Sequence, residues 1–316
     1  MGSVRVVGDL EECESLWRTA FEERTLYDLW EVRLLFHKTF QRPLHFVVME
    51  ENGIVAGMLP LSWIEESHGF GYFPGETWHG KTWLEQNRIL CRDENMMDEL
   101  LSQCNADYHI RYLRSVPCLP LADQKVDEIG YLFYPPRYEY DFENYFEEFS
   151  GKSAKRLRRE LADFMGRGIS FRHDAPSDFD DLVGLNLERF GEHSYFHDPR
   201  FEAGFRALQE FLLEKGWLRM TTVLVNDTVA AVDMGCVRQG VYTLLAGGTH
   251  GGFPGVAKVI NLHHMKWACQ EKMKEVDFLC GDFSWKTLFH LSKKPLYLLS
   301  SSIPEEQGII LEANAR

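Results

Sequence analysis

The chain has 316 residues, a hydrophobic fraction of 45% and a formal net charge of −14. It can bury one large core or two ordinary ones, and its acidity disfavours a dedicated nucleic-acid binder. Its seven cysteines are scattered, with no Cys-x-x-Cys pair, which argues against a disulfide-stapled secreted protein and for a reducing, cytoplasmic setting. No apolar run approaches the roughly 20 residues of a membrane span, and no signal-peptide pattern opens the sequence.

Residues 9–23 place Leu10, Cys13, Leu16, Trp17 and Ala20 at helical spacing, and 26–40 read as a second helix ended by Pro43. Strand-like runs at 45–49 and 54–59 flank Asn52-Gly53, a pair suited to a tight hairpin because both positions need positive φ. A strand at 69–75, a helix at 94–104 and a strand at 108–113 follow. The same order then returns. Helices at 179–190 and 201–214 precede strands at 219–225 and 229–237, joined at Asn226-Asp227, and a third strand at 240–246. Two helices followed by an antiparallel meander, present twice, predict a duplicated domain. The boundary falls near Pro135-Pro136, which gives units of 1–140 and 141–316.

Three stretches can carry chemistry. The first is the loop from Ala246 to Gly255, with Gly247, Gly248, Gly251, Gly252 and Gly255, which leads from a strand into a helix at 256–272. Such a turn gathers free backbone N–H groups at the positive end of a helix dipole, a setting for a pyrophosphate. It lacks both the Walker and the Gly-x-Gly-x-x-Gly spacing. Lys258, in the first turn of that helix, joins these glycines as a candidate cofactor contact. The second stretch is a basic helix around Lys155, Arg156, Arg158 and Arg159, the densest positive charge in an acidic chain and a candidate anion dock, with a solvated face as the plain alternative. The third, 276–286, reads as a short buried strand ending in a turn that presents Asp282 and Lys286, with a local salt bridge as the plain alternative. Asp277 sits inside its apolar run, where an unpaired carboxylate is costly.

Together these stretches resemble the CelD-like and Fem-like branch of the GNAT acyltransferase superfamily. Lys155-Arg156-Leu157-Arg158-Arg159 to Gly168 is similar to that branch's basic helix, Pro254-Gly255 to the opening of its cofactor-side helix, and Asp277-Phe278-Leu279 with Gly281-Asp282 and Lys286 to its Asp-Phe…Gly-Asp…Tyr-Lys signature. Trp285 stands where the signature has tyrosine. The likeness covers roughly residues 20–300. It implies an α/β (α+β) fold of tandem duplicated GNAT-like domains, each a mixed, mostly antiparallel sheet flanked by helices.

The resemblance also implies an enzyme that moves an acyl group from acyl-CoA or acetyl-CoA to an amine on a sugar, peptide or cell-envelope precursor. Fem-type relatives imply an aminoacyl-tRNA donor as the alternative, which the acidic surface disfavours. A non-catalytic binding protein is the reading from another class. Direct attack by an amine needs a general base, with Asp282 first and Glu192 and Asp233 behind it. Lys286 is expected to offset negative charge, and Lys155, Arg158 and Arg159 to hold an anionic part of a substrate. No metal is expected. His193 and His197 are spaced for a helix face but bounded by Gly191 and Pro199, and His263-His264 point to different faces of their helix.

Overall fold

The computed structural model describes residues 2–281 and 284–301, apart from the side chains of Ser284 and Trp285. The first half runs β1 (Ser3–Val7), α1 (Leu10–Ala20), α2 (Trp30–Phe40), β2 (Leu44–Glu51), β3 (Ile54–Ile64), β4 (Gly69–Tyr72), α3 (Glu94–Leu101), β5 (His109–Leu113) and β6 (Lys125–Phe133). A connection holding α4 (Phe142–Tyr145) and α5 (Gly151–Met165) leads to the second half. That half runs β7 (Ile169–His173), α6 (Phe179–Phe190), α7 (Pro199–Glu214), β8 (Leu218–Val225), β9 (Thr228–Arg238), β10 (Val241–Thr249), α8 (Val256–Gln270), β11 (Glu275–Asp277), α9 (Ser284–Leu288) and β12 (Ser292–Ser300). Strand, two helices, three-stranded meander, helix, strand and returning strand occur twice in one order. The fold is duplicated.

Local chemistry sets most element ends. Asp9 caps α1 by accepting the Glu12 N–H at 2.9 Å, and the helix buries Cys13, Leu16 and Trp17 at three- and four-residue spacing. The expected helix over 26–40 is broken. Asp28 accepts the N–H groups of Arg24 and Thr25 at 3.1 and 2.8 Å, closing a 3-10 turn over Leu26–Asp28. Leu29 is then extended, so α2 starts at Trp30. Both hairpin turns take the expected backbone, with φ of +53° and +77° at Asn52 and Gly53 and of +47° and +63° at Asn226 and Asp227.

The strands form an antiparallel sheet in the order β1-β2-β3-β4 and a larger one in the order β5-β12-β6-β11-β10-β9-β8-β7. A parallel bridge from Phe70 to Tyr108 joins β4 to β5 and so links the two sheets. The returning strands are exchanged. β6, of the first half, pairs with β11 of the second, and β12, of the second half, pairs with β5 of the first. β6 and β12 pair with each other in the middle. A cut near residue 140 therefore severs a continuous ladder.

One apolar cluster fills the first half around Trp17, Phe46, Phe70 and Phe73. A second lies where α2 and α7 meet over the larger sheet, with Phe36, Phe201, Phe205 and Trp83. A third, on Tyr131, Tyr242, Leu262 and Met265, lies under α8 and the connection. No described helix is long and apolar enough to cross a membrane.

Candidate active site

β10 pairs in parallel with β11 over Val241–Thr243 and then runs on to Thr249 with β9 as its ladder partner. The two strands splay, and a bulge between Leu244 and Ala246 marks where β10 bends. The backbone of Leu244–Thr249 thus borders a gap. Past it, the His250 ring accepts the Gly252 N–H at 2.9 Å, and Gly255 takes φ +92° to turn the chain into α8 without a side-chain cap. Among the described residues, the N–H groups of Gly251, Gly255 and Ala257 make no hydrogen bond. These free donors, at and just before the helix start and beside a splayed strand, make a corner suited to an anion.

The corresponding corner of the first half is closed. Asp93 caps α3 and accepts the Met96 N–H at 2.9 Å, while Arg92 binds both oxygens of Glu51 at 2.7 Å. The depression there, about 500 Å³, is walled by Glu51, Asp93 and Glu99. Arg92 lines it as well, and the Asp93 carboxylate takes the place where the second half presents open N–H groups.

The long connection 73–93 of the first half reaches across to the splay. The Trp83 indole N–H donates to the carbonyl of Leu245, at the bulge, at 3.1 Å. Two residues on, Glu85 accepts the N–H of Cys280, past the end of β11, at 2.9 Å. Gln86 donates to Asp277 at 2.6 Å, and the other Asp277 oxygen accepts the Leu279 N–H at 2.9 Å. This strap touches both lips of the gap.

Burial dominates the electrostatics beneath the strap. It raises the Glu85 carboxyl to about 8, with the nearby Asp277 charge adding to it. It raises Asp277 as well, against its hydrogen bonds to Leu279 and Gln86. Lys286 is lowered to about 8 by burial, against the pull of Glu85. The Lys286 ammonium donates to the carbonyls of Phe278, Leu279 and Cys280 at 2.8, 2.9 and 2.7 Å. It holds the turn in which Leu279 and Gly281 take positive φ.

The structure brings only some of the sequence-predicted residues together. Gly247 and Gly248 belong to β10, which extends three residues past the expected strand end at 246. A Cβ at Gly247 would lie 2.3 Å from an Asp233 oxygen, and one at Gly248 would lie 2.7 Å from the Leu182 carbonyl of α6. Both serve close approach within the fold. Gly251, Gly252 and Gly255 are exposed at the corner. Lys258 is paired with Glu160 of α5, and Phe164 of α5 lies against Gly255, so the basic helix flanks the corner. Lys155 and Arg159 are exposed on it, whereas Arg158 binds Glu143 at 2.9 Å and stacks on Phe146. Glu192 is exposed in a 3-10 turn, Gly191–His193. Asp233 is buried and lies 2.9 Å from the fully buried His264 ring. Asp282 lies outside the described residues. No group of three or more metal-binding side chains occurs among the described residues.

The contacts of Trp83 and Glu85 with the splay were not legible in the sequence, because both residues lie in irregular chain of the other half and no spacing ties them to β10 or β11.

Residues 151–287 match the family described as the acetyltransferase (GNAT) domain. No curated protein matches the sequence. Solved structures share the fold nearly end to end. FemX aligns at 11% identity and a TM-score of 0.54, over 95% of this chain and 97% of its own. A conserved protein of unknown function from Bacteroides thetaiotaomicron aligns at 12% and 0.58, over 94% and 99%. A tandem GNAT protein from the clavulanic acid biosynthesis pathway aligns at 10% and 0.53, over 96% and 99%. The domain match covers the splay, the open corner and α5, and the solved structures align over both halves. Residues 151–287 thus carry a GNAT acetyltransferase domain, and the fold of the whole chain is the one seen in FemX and the tandem GNAT protein.

Proposed function

We propose that the chain transfers an acyl group from an acyl-CoA thioester to an amine on a sugar, peptide or cell-envelope precursor, with 141–316 as the catalytic unit. The observation that carries this reading is the asymmetry between the two helix starts. Gly255 leaves the N–H groups at the start of α8 open, whereas Asp93 fills the same place at α3. A pyrophosphate suits the first, whereas the capping carboxylate already occupies the second. The splay between β10 and β11 gives a thioester arm a way to the bulged backbone at Leu245, where N–H groups directed at a developing oxyanion would act. The acidic surface favours this donor over an acylated tRNA, which would want a long basic stripe.

Acetyl-CoA titrated calorimetrically into wild type and Gly251→Asp tests the reading. Position 251 has open space around it and no positive φ, so the variant folds while placing a carboxylate among the free N–H groups. Binding to wild type, weakened about tenfold or more in the variant, is expected. Equal affinity for both would remove the corner from donor binding.

A further inference from the structure

A polar layer lies under α8, away from the splay. His173 of β7, Thr221 of β8 and Asp233 of β9 stand opposite one another in register, and side chains so paired share a sheet face. Asp233 lies 2.9 Å from His264 of α8, so that face is the one α8 covers. Arg219, two residues before Thr221 on β8, shares it. In the sheet β8 is two strands from β10, so the layer is distinct from the gap beside β11.

The Arg219 guanidinium lies 3.7 Å from the centre of the Trp267 ring. Its half-buried side chain makes no hydrogen bond and no ion pair. Its acidic neighbours are Asp174, just past β7, and Glu271, just past α8, and neither pairs with it. His263 precedes Trp267 by one turn of α8 and stacks on His173 at 5.2 Å, which brings both imidazoles beside Arg219. Four buried atoms here have no partner: Arg219 Nε, Thr221 Oγ1, His263 Nε2 and His264 Nδ1. Buried polar groups nearly always have one, because burial without a hydrogen bond is unfavourable. The terminal nitrogens of Arg219, Nδ1 of His263 and the exposed His173 ring are also unbonded, and these are not buried. A cation and two imidazoles thus meet at the edge of an unsatisfied polar layer, with no carboxylate paired to any of the three.

We propose that this edge seats a phosphate group, free or as the end of a monoester, on Arg219 with His263 and His173 beside it. A guanidinium binds two phosphate oxygens side by side, and stacking on Trp267 limits the orientations it must lose to do so. Burial, with the neighbouring His264 next, lowers His263 to about 3, so its ring is neutral and donates through one N–H. A carboxylate is used up by the guanidinium fork, whereas a phosphate has a further oxygen for the imidazoles. The seat needs no acyl donor and stands whether or not the open corner takes CoA.

Broadening of the phosphorus NMR line of inorganic phosphate by the whole chain, at ionic strength fixed with sodium chloride, reads the binding. The corner before α8 is a second place for phosphate, so the titration uses Gly251→Asp, which puts a carboxylate there. This variant should bind phosphate saturably, and adding Arg219→Gln should weaken that binding about tenfold or more. Adding His173→Ala instead should weaken it severalfold. Glycerol 3-phosphate, titrated alongside, separates the sources: tighter binding than inorganic phosphate assigns the seat to an ester, and weaker binding assigns it to the free ion. Arg219→Gln alone should bind acetyl-CoA as wild type does. No saturable phosphate binding by Gly251→Asp, or equal binding with and without Arg219→Gln, would overturn the seat and leave the donor reading untouched. Loss of acetyl-CoA binding in a folded Arg219→Gln would overturn its separateness from the donor site. If Arg219→Gln fails to fold, His173→Ala, at an exposed position, decides.

Discussion

Glu85 and Cys280 stand 195 residues apart in the chain and meet through a carboxylate that accepts a backbone N–H at 2.9 Å. With the Trp83–Leu245 bond two residues earlier, this contact makes the first half a wall of the second half's cleft. The halves are thus joined at the site itself as well as through the exchanged strands.

Trp83 should be an energetic anchor of that wall. Its ring stacks on Phe36 at 5.3 Å, meets Phe205 edge-on at 4.6 Å and is 6% exposed. Trp83→Ala leaves a cavity and an unpaired Leu245 carbonyl, and should cost about 3–5 kcal/mol in urea unfolding. A loss under about 1 kcal/mol would mean the strap is dispensable to the fold.

The glycines should divide into two kinds. Gly247→Ala puts a Cβ 2.3 Å from Asp233 and Gly248→Ala puts one 2.7 Å from the Leu182 carbonyl, so each should lower stability by about 1–3 kcal/mol. Gly251→Ala meets nothing within 4 Å and should melt as wild type does. Differential scanning calorimetry of the three variants checks the division, and equal melting of all three would contradict it.

Stability should carry a pH signature of Glu85. Its carboxyl is raised from 4.5 to about 8, so the folded state holds this proton more tightly than the unfolded chain. The corresponding stability is present below about 4.5 and lost as pH rises toward about 8. Lys286, lowered from 10.5 to about 8, acts above that window and in the opposite sense, with stability regained as pH rises from about 8 to 10.5. Wild type should therefore lose stability relative to Glu85→Gln between about pH 5 and about pH 8. Urea unfolding across that range reads the difference, and a flat difference would show that burial does not shift this group.

The charges of α5 should separate by partner. Arg158 and Glu143 form an ion pair with side chains 50% and 70% exposed, so Arg158→Ala should change stability by about 0–1 kcal/mol. Arg156 and Arg159 lie one turn and one residue before Glu160, the residue that meets Lys258 of α8. Arg156→Ala with Arg159→Ala should weaken acetyl-CoA binding severalfold at low salt and less at high salt. Titrations at two ionic strengths test this, and an effect that ignores salt would point away from charge.

The sequence alone determined the elements whose causes are local. Asn52-Gly53 and Asn226-Asp227 set the two hairpins because these residues tolerate the positive φ each turn imposes. Helix-period burial along α1 and α6, repeated in order, was enough to reveal the duplication. The signature around Asp277 and Lys286 led to the family, although the buried Lys286 bonds the turn carbonyls. Tertiary structure decided the exchange of β6 and β12. Lys125-Val126-Asp127-Glu128 opens one with charge and Pro295 interrupts the other, so neither reads as a central strand until its neighbours are known. It also decided that Gly247 and Gly248 lie in a strand, fitted against Asp233 and α6, and that Glu85 meets Cys280 past the end of β11. A turn or a helix face follows from bonds within a few residues. Strand exchange and the contacts of the strap with β10 and Cys280 join residues more than a hundred positions apart, which carry no periodicity along the chain.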